Sequence, residues 1–286
     1  MASTVLYPCD PLRPHLVDAH FRGEAAAARD LGAATALLDH DALLRGDVDG
    51  AVGRVPADAG PLWYRGWMVP APRYDALAAA LASRGGALVV DAAAYRRAHE
   101  LPGWYPLFAG ATPRSVWCGA APGEVPPAGL LAELVAPLGG GPGVVKDFVK
   151  SRKYEWEDAC HVPDLRDAAR LHRVVARMVE LQGGFLDGGI VVRAFEEFTG
   201  AEARVWWVGG EPAAVGAHPD SPGERPVPDL RDVRPLVGAL GHPFVTTDLA
   251  LRADGRWRVV EVGDGQVSGL PATLGPEPVL SALLRA

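Results

Sequence analysis

The stretch VVKDFVKSRK, Val144 to Lys153, holds every lysine of the chain, Lys146, Lys150 and Lys153, and elsewhere the Lys/Arg cations are all arginine. Three ammonium groups kept together in an arginine-using sequence point to a task that a guanidinium performs less well, and a compact point charge suits phosphate. Val144, Val145, Phe148 and Val149 favour extended backbone, so a strand through the stretch puts residues 146, 148, 150 and 152 on one face. Neighbours on such a face stand roughly 6–7 Å apart, near enough for flexible cations to converge on a polyphosphate. Taken alone, the stretch fits a lysine-guarded strand edge equally well.

A length of 286 residues is enough for two domains, and the 49% hydrophobic and 22% charged fractions are those of an ordinary globular protein. The net charge of -7 argues against a general nucleic-acid binder and leaves room for a local basic pocket. Cys9, Cys118 and Cys160 are odd in number and far apart, which supports neither a disulfide framework nor a zinc knuckle. The start, MASTVLYPCD, lacks a basic segment followed by an apolar run, and no segment approaches the length of a membrane span. A cytoplasmic protein is expected, with neither membrane nor nucleic acid as partner.

Along the first third, strands at residues 3–9, 34–39, 62–69 and 87–91 alternate with helices at 14–31 and 72–83, the pattern of a small parallel α/β sheet. Such sheets bind ligands beyond the carboxyl ends of their strands, near which Asp10, Arg13 and Arg65 fall. Prolines and the run Gly139–Gly141 accumulate between about 102 and 143 and mark a boundary interrupted by a helix at 127–138. The run LGGGPG is not followed by Gly-Lys-Ser/Thr and precedes a strand, so it is no P-loop. Residues 154–160 form the tip or return of a hairpin, and a helix from Pro163-Asp164 reaches Gln182.

Further strands follow at 189–198, 202–208, 244–252 and 256–262, the last two joined by Ala253-Asp254-Gly255, a hairpin signal. A two-residue turn centred on Asp254-Gly255 pairs Ala253 with Arg256 and, counting outward, Asp248 with Glu261. Directly opposed carboxylates lie roughly 4.5–5.5 Å apart at Cβ and repel unless a cation sits between them. A magnesium ion meets that need; so does an arginine bridge from Arg252 or Arg258.

These pieces resemble the ATP-grasp fold over about residues 111–286. VVK at Val144–Lys146 is similar to the lysine strand that contacts nucleotide phosphates. VVRAFEEF, followed by Glu202, Arg204 and WWVGGEP, resembles the linker that holds adenine and the strand whose glutamate binds ribose. Asp248, with Glu261 in VVEVGDGQVSGLP, resembles the magnesium-binding pair. Within the superfamily the chain is similar to a clade of small bacterial members with an arginine and lysine signature. The resemblance implies an α/β fold, α+β towards the C-terminus, with a pre-ATP-grasp domain at 1–110 and an ATP-grasp domain at 111–286, divided into a lid (111–195) and a metal-binding part (196–286).

It also implies an ATP-dependent carboxylate–amine ligase that forms an amide through an acylphosphate, with ATP and Mg2+ as cofactors and an amino acid, peptide or specialised metabolite as substrate. A phosphotransferase and a nucleotide-binding regulatory protein are the alternatives. The implied nucleotide contacts are Lys146, Lys150, Arg152, Lys153, Phe195, Glu196 and Glu202. Lys146, Arg193 and Arg204 are the implied catalytic residues; for the two arginines, structural ion pairing with Glu196 or Glu197 is the competing role. Asp248, Glu261 and Asp264 are the implied metal ligands, and Arg65 and Ser268 the implied substrate contacts. Two departures from the family pattern stand out. Gly263 occupies the position of a usual asparagine ligand, for which Asp264 substitutes through a bulge. KSRKYEWED stands in place of a Gly/Ser-rich phosphate cover, so Lys150, Arg152 and Lys153 are expected to close over the phosphates.

Overall fold

In the computed structural model, residues 4–200, 202–270 and 274–286 are described. The first sheet consists of β1 (Thr4–Pro8), β2 (Ala34–Leu38), β3 (Gly60–Tyr64) and β4 (Gly86–Leu88), in the order β2-β1-β3-β4 with every pairing parallel. All five residues of β1 are buried, as the central strand of a sheet covered on both faces requires. Helix Ala71–Ser83 lays Tyr74, Leu77 and Leu81 towards the core at three- and four-residue spacing. The strand expected over 62–69 stops at Tyr64. There the Tyr64 ring folds over Gly66, where an added Cβ would lie 2.3 Å from its Oη, and the hydroxyl donates to Trp67 O at 2.7 Å. Helix Arg22–Asp30 begins eight residues later than expected from Pro14, because Asp10 Oδ1 accepts from the backbone N of Leu12 and of Arg13 and turns the chain into a loop.

The second sheet holds β5 (Ser115–Gly119), β6 (Gly143–Asp147), β7 (His161–Val162) and β8 (Gly189–Ala194), in the antiparallel order β5-β8-β6-β7. It packs on helix Ala168–Gln182, whose Leu171, Val174, Val175 and Met178 are fully buried, and on helix Ala128–Val135. The lysine stretch departs from expectation here, since β6 ends at Asp147. The buried Asp147 carboxylate accepts from Val149 N at 2.7 Å and from Lys150 N, and Asp147 N donates to Lys150 O at 3.0 Å. The chain therefore turns, and Ser151 bridges back to Lys146. A side chain that captures the next backbone N–H groups ends a ladder in this way, so residues 146, 148, 150 and 152 share no strand face. Residues 153–160 continue as short helical turns in place of a hairpin tip.

The third sheet, β9 (Ala203–Val208), β10 (Glu211–Ala217), β11 (Phe244–Leu251) and β12 (Trp257–Asp264), has the order β10-β9-β11-β12. Gly209 and Gly210, both at positive φ, make the turn between β9 and β10. The chain divides into two compact units. One holds the described residues up to His99 with Gly200–Ala250 and Glu261–Ala286; the other holds Glu100–Thr199 and Leu251–Val260. A single core in the first unit joins Tyr7 and Trp63 to Trp206 and Phe244, so the first and third sheets share their interior. Cys9, Cys118 and Cys160 carry no disulfide, and among the described residues no helix is long and apolar enough to cross a membrane.

The Asp147 turn has a measurable energetic consequence. Replacing Asp147 with Ala strands two backbone donors and the Gln182 amide, which also bonds this carboxylate. Urea unfolding of Asp147→Ala is expected to show a loss of roughly 2–4 kcal/mol relative to wild type.

Candidate active site

The residues with the most concentrated chemistry line a cavity of about 330 Å³ within the first unit, among them Arg204, His218, Asp248, Glu261, Asp264 and Ser268. Arg204 and Asp248 face each other across the antiparallel ladder of β9 and β11. Arg204 Nε donates to Asp248 Oδ1 at 2.6 Å and Nη2 to Oδ2 at 2.7 Å, a bidentate pair. Burial opposes ionisation of Asp248, but Arg204 and then His218 outweigh it and hold the carboxyl at about 2. Burial likewise opposes the charge on Arg204, and Asp248, with Glu261 and Glu202 beyond it, holds that charge in place.

His218 follows β10, with its backbone N donating to Glu202 O at 2.8 Å. Its Nε2 lies 3.1 Å from Arg204 Nη2 and 3.5 Å from Asp248 Oδ2. Burial lowers the pKa of His218, but the Asp248 carboxylate beside the ring raises it above the ordinary value. Glu202, His218 and Asp248 can each offer one ligand atom within 4.8 Å of the other two. The sequence reading does not single out His218, although a signal for it exists. Counting outward from the Gly209-Gly210 turn brings residue 218 opposite 201 or 202, and the irregularity between Pro212 and Ala214 selects 202.

The turn before β12 differs from the expected one. Gly255 N donates to Arg252 O at 3.0 Å, Arg252 N donates to Arg256 O at 2.9 Å, and Gly255 has a φ of 81°. This is a three-residue connection with a left-handed glycine, not a two-residue turn, and it shifts the register by one. The shift is undone further along. Buried Val259, Val262 and Asp264 are spaced three and then two apart, so the alternation of β12 slips by one residue between 259 and 262. Beyond the slip Thr246 stands against Gly263, 3.0 Å from where a Cβ would be, and Asp248 and Glu261 line the same cavity. Neither Arg252 nor Arg258 bridges them. Arg258 instead holds Glu196 through bonds of 2.8 and 2.9 Å, and Arg252 lies 3.6 Å from the same carboxylate.

Several expected site residues are held by partners within the protein. Arg65 is 1% exposed; its Nε and Nη2 bind both oxygens of Glu24, and its Nη1 donates to the carbonyls of Gly265, Gln266 and Ser268. Buried among these partners, it anchors the segment after β12 and is not presented to a substrate carboxylate. Asp264 is fully buried. Its Oδ1 accepts from Gln266 N and Nε2, and its Oδ2 lies 3.1 Å from His242 Nε2, so the carboxylate organises the turn at the cavity wall. The Ser268 hydroxyl donates to Asp264 O at 2.9 Å and stands 2.8 Å from Thr246 Oγ1, at the cavity wall.

The remaining residues lie in the second unit. Lys146 is buried, with Nζ donating to Val149 O at 2.9 Å, whereas Lys150 and Lys153 are exposed and Arg152 pairs with Glu155 at 2.8 Å. Arg193 is on β8 and Arg204 on β9, strands of different sheets, so the expected in-register return does not join them. Arg193 donates from Nε to Ser115 Oγ at 3.0 Å and from Nη1 to Val260 O at 2.5 Å, under the face of Trp104. These bonds secure β8. Phe195 is 39% exposed and packs edge-on to Trp156 and His161, whose rings stack on each other.

The family model for the ATP-grasp domain of the R-2-K clade, family 3, matches residues 137–283. The fold is similar to that of a RimK-domain ATP-grasp protein from Sphaerobacter thermophilus, with 18% identity, full coverage of both chains and a TM-score of 0.60. It is also similar to D-cycloserine synthetase DcsG, with 17% identity, 99% of each chain covered and a TM-score of 0.63. The ATP-grasp ligase PsnB, solved with a minimal precursor, Mg and ADP, shows 14% identity over 99% of this chain and 97% of its own, with a TM-score of 0.55. Among curated proteins, none matches the chain in sequence.

The Asp248 carboxyl sits at about 2, below its ordinary 3.8, so the stability it contributes is complete above about pH 4 and is lost as pH falls towards 2. The amount is about 2 kcal/mol. Unfolding measured without metal at about pH 5 and pH 2.5 should show a steeper acid loss for wild type than for Asp248→Asn, by roughly that amount.

Proposed function

Because the chain belongs to family 3 of the R-2-K clade of ATP-grasp domains, we propose that it is an ATP-dependent carboxylate–amine ligase. In this reading an oxygen of a substrate carboxylate attacks the γ-phosphorus of ATP; the bond to the bridging oxygen breaks, ADP leaves and an acylphosphate forms. An amine then adds to the acyl carbon, phosphate departs with the former carboxylate oxygen, and the amine loses its proton as the amide forms.

The observation that carries the reading is the cavity that brings a guanidinium, Arg204, together with the carboxylates Asp248 and Glu261. The Glu261 side chain, on the cavity wall, accepts no hydrogen bond among the described residues. Two carboxylates are hard oxygen donors, the set magnesium prefers, and Asp248 and Glu261 would hold the ion with Glu202 and His218 beside them. When bound, the metal supplies charge neutralisation on the phosphate oxygens. The PsnB structure, of similar fold, contains magnesium and ADP, which supports both assignments.

The protein's own part is positioning and electrostatics. Arg204 presents donors to the acylphosphate and its tetrahedral adduct, a role that its place in the cavity supports for Arg204 over Arg193. Lys146, Lys150, Arg152 and Lys153 supply cations for the phosphates. Backbone groups of Phe195 and Glu196 receive adenine, Glu202 the ribose hydroxyls, and Ser268 contacts substrate at the cavity wall. The substrates are a small carboxylate and an amine, in the form of an amino acid, peptide or specialised metabolite.

With a substrate pair found by screening for ADP release, 18O in the substrate carboxylate should appear in the released phosphate, with ADP and not AMP as the nucleotide product. A stable phosphorylated product without amide would make the protein a phosphotransferase. Glu261→Gln should lower turnover by about 10²–10³-fold or more. Its melting temperature without ligands should match wild type, and the stabilisation that magnesium and ATP jointly provide should disappear. A lower melting temperature with that stabilisation intact would make Glu261 a structural residue.

A further inference from the structure

Resting on the reading of a metal-dependent ATP site, we propose that Arg204 is a resident counter-cation. It closes the divalent-metal site of the nucleotide-free protein and must leave Asp248 for a metal ion to enter. Both oxygens of Asp248 are occupied by the guanidinium, at 2.6 and 2.7 Å, and the Nη2 that holds Oδ2 also stands 3.1 Å from His218 Nε2. Asp248 and His218 are two of the three residues, with Glu202, whose ligand atoms lie within 4.8 Å of one another. A cation coordinated there would meet the guanidinium at close range, in a site where Asp248 is 5% and Arg204 15% exposed at the side chain. Like charges so near and so little hydrated exclude each other, so metal and guanidinium compete for the same atoms.

The more exposed partner is the arginine, and it lines the cavity in which the proposed phosphates would bind. An anionic nucleotide gives the displaced guanidinium a new bidentate partner. Metal and nucleotide then favour each other's binding through this one side chain, and the coupling is reciprocal. The exchange keeps Asp248 paired with a cation at every stage, which a buried carboxylate at this position requires. The imidazole nitrogen among the ligands favours Mn2+ over Mg2+, so Mn2+ serves as the probe.

The test is titration of nucleotide-free wild type and Arg204→Met with Mn2+, following free Mn2+ by its electron paramagnetic resonance signal. Arg204→Met is expected to bind Mn2+ about tenfold or more tightly than wild type, as removal of a competing charge at contact distance implies. A non-hydrolysable ATP analogue should tighten Mn2+ binding to wild type far more than to the variant. Adding Asp248→Asn to Arg204→Met should abolish the gain. Equal or weaker Mn2+ binding by Arg204→Met, or an unchanged effect of the analogue, would overturn the proposal and leave the pair a structural bridge. Should Arg204→Met fail to fold, Arg204→Lys keeps the charge with a single point of contact. It is then expected to bind Mn2+ more tightly than wild type, and equal affinity would overturn the proposal. These titrations involve no turnover, so an absence of ADP release with every substrate would count against the ligase reading alone.

Discussion

A buried guanidinium holds the first unit to its working shape. Arg65 lies at the end of β3 and, from a position almost without solvent, binds both oxygens of Glu24 and three carbonyls of the segment after β12. A buried cation in this setting tolerates no missing partner, since the desolvation of its charge is offset only while carboxylate and carbonyls all stay in place. The segment 265–268 is therefore pinned against the first sheet. Asp264 and Gln266, which bond each other and reach His242 and Tyr74, are pinned with it. The segment beside the cavity is held in place by an arginine from a different sheet.

Beside that segment the cavity is balanced between charges. Arg204 faces Asp248 because β9 and β11 are neighbours in register, and His218 joins them because the turn at Gly209-Gly210 returns β10 alongside β9. The result is a carboxylate kept ionised against its burial by cations on two sides. Glu261, on the same cavity wall, accepts no hydrogen bond among the described residues. The proposed site for ATP and a divalent ion has use for a carboxylate held ionised in this way.

The second unit treats its cations differently. Lys146 is inside, tied to the carbonyl of Val149, while Lys150 and Lys153 stand in solvent on a turn that Asp147 holds closed. Arg193 and Arg258 are absorbed by the framework, one under Trp104 and the other on Glu196. Of the two arginines implied as catalytic, Arg204 lines a cavity and Arg193 braces β8.

Much of the architecture was legible in the chain itself. Continuous apolar runs such as β1 and the three- and four-residue spacing of Tyr74, Leu77 and Leu81 identify buried strands and a core-facing helix, because burial of one face is a local, periodic requirement. The family motifs at Lys146, Arg204, Asp248 and Glu261 were equally visible, being short and tied to charge. Partnership was not visible, because it is decided by residues distant in sequence. Arg65 could not be told from a substrate-binding arginine until Glu24 and the carbonyls of segment 265–268 closed around it. Asp248 and Glu261 reached one cavity through two one-residue shifts that cancel, a three-residue turn and a slip in β12. Residue counting cannot separate that outcome from a regular hairpin. Sequence determines which groups are charged and which faces are apolar, whereas tertiary structure decides which charges meet, since an ion pair depends on distance and burial and neither is a local property of the chain.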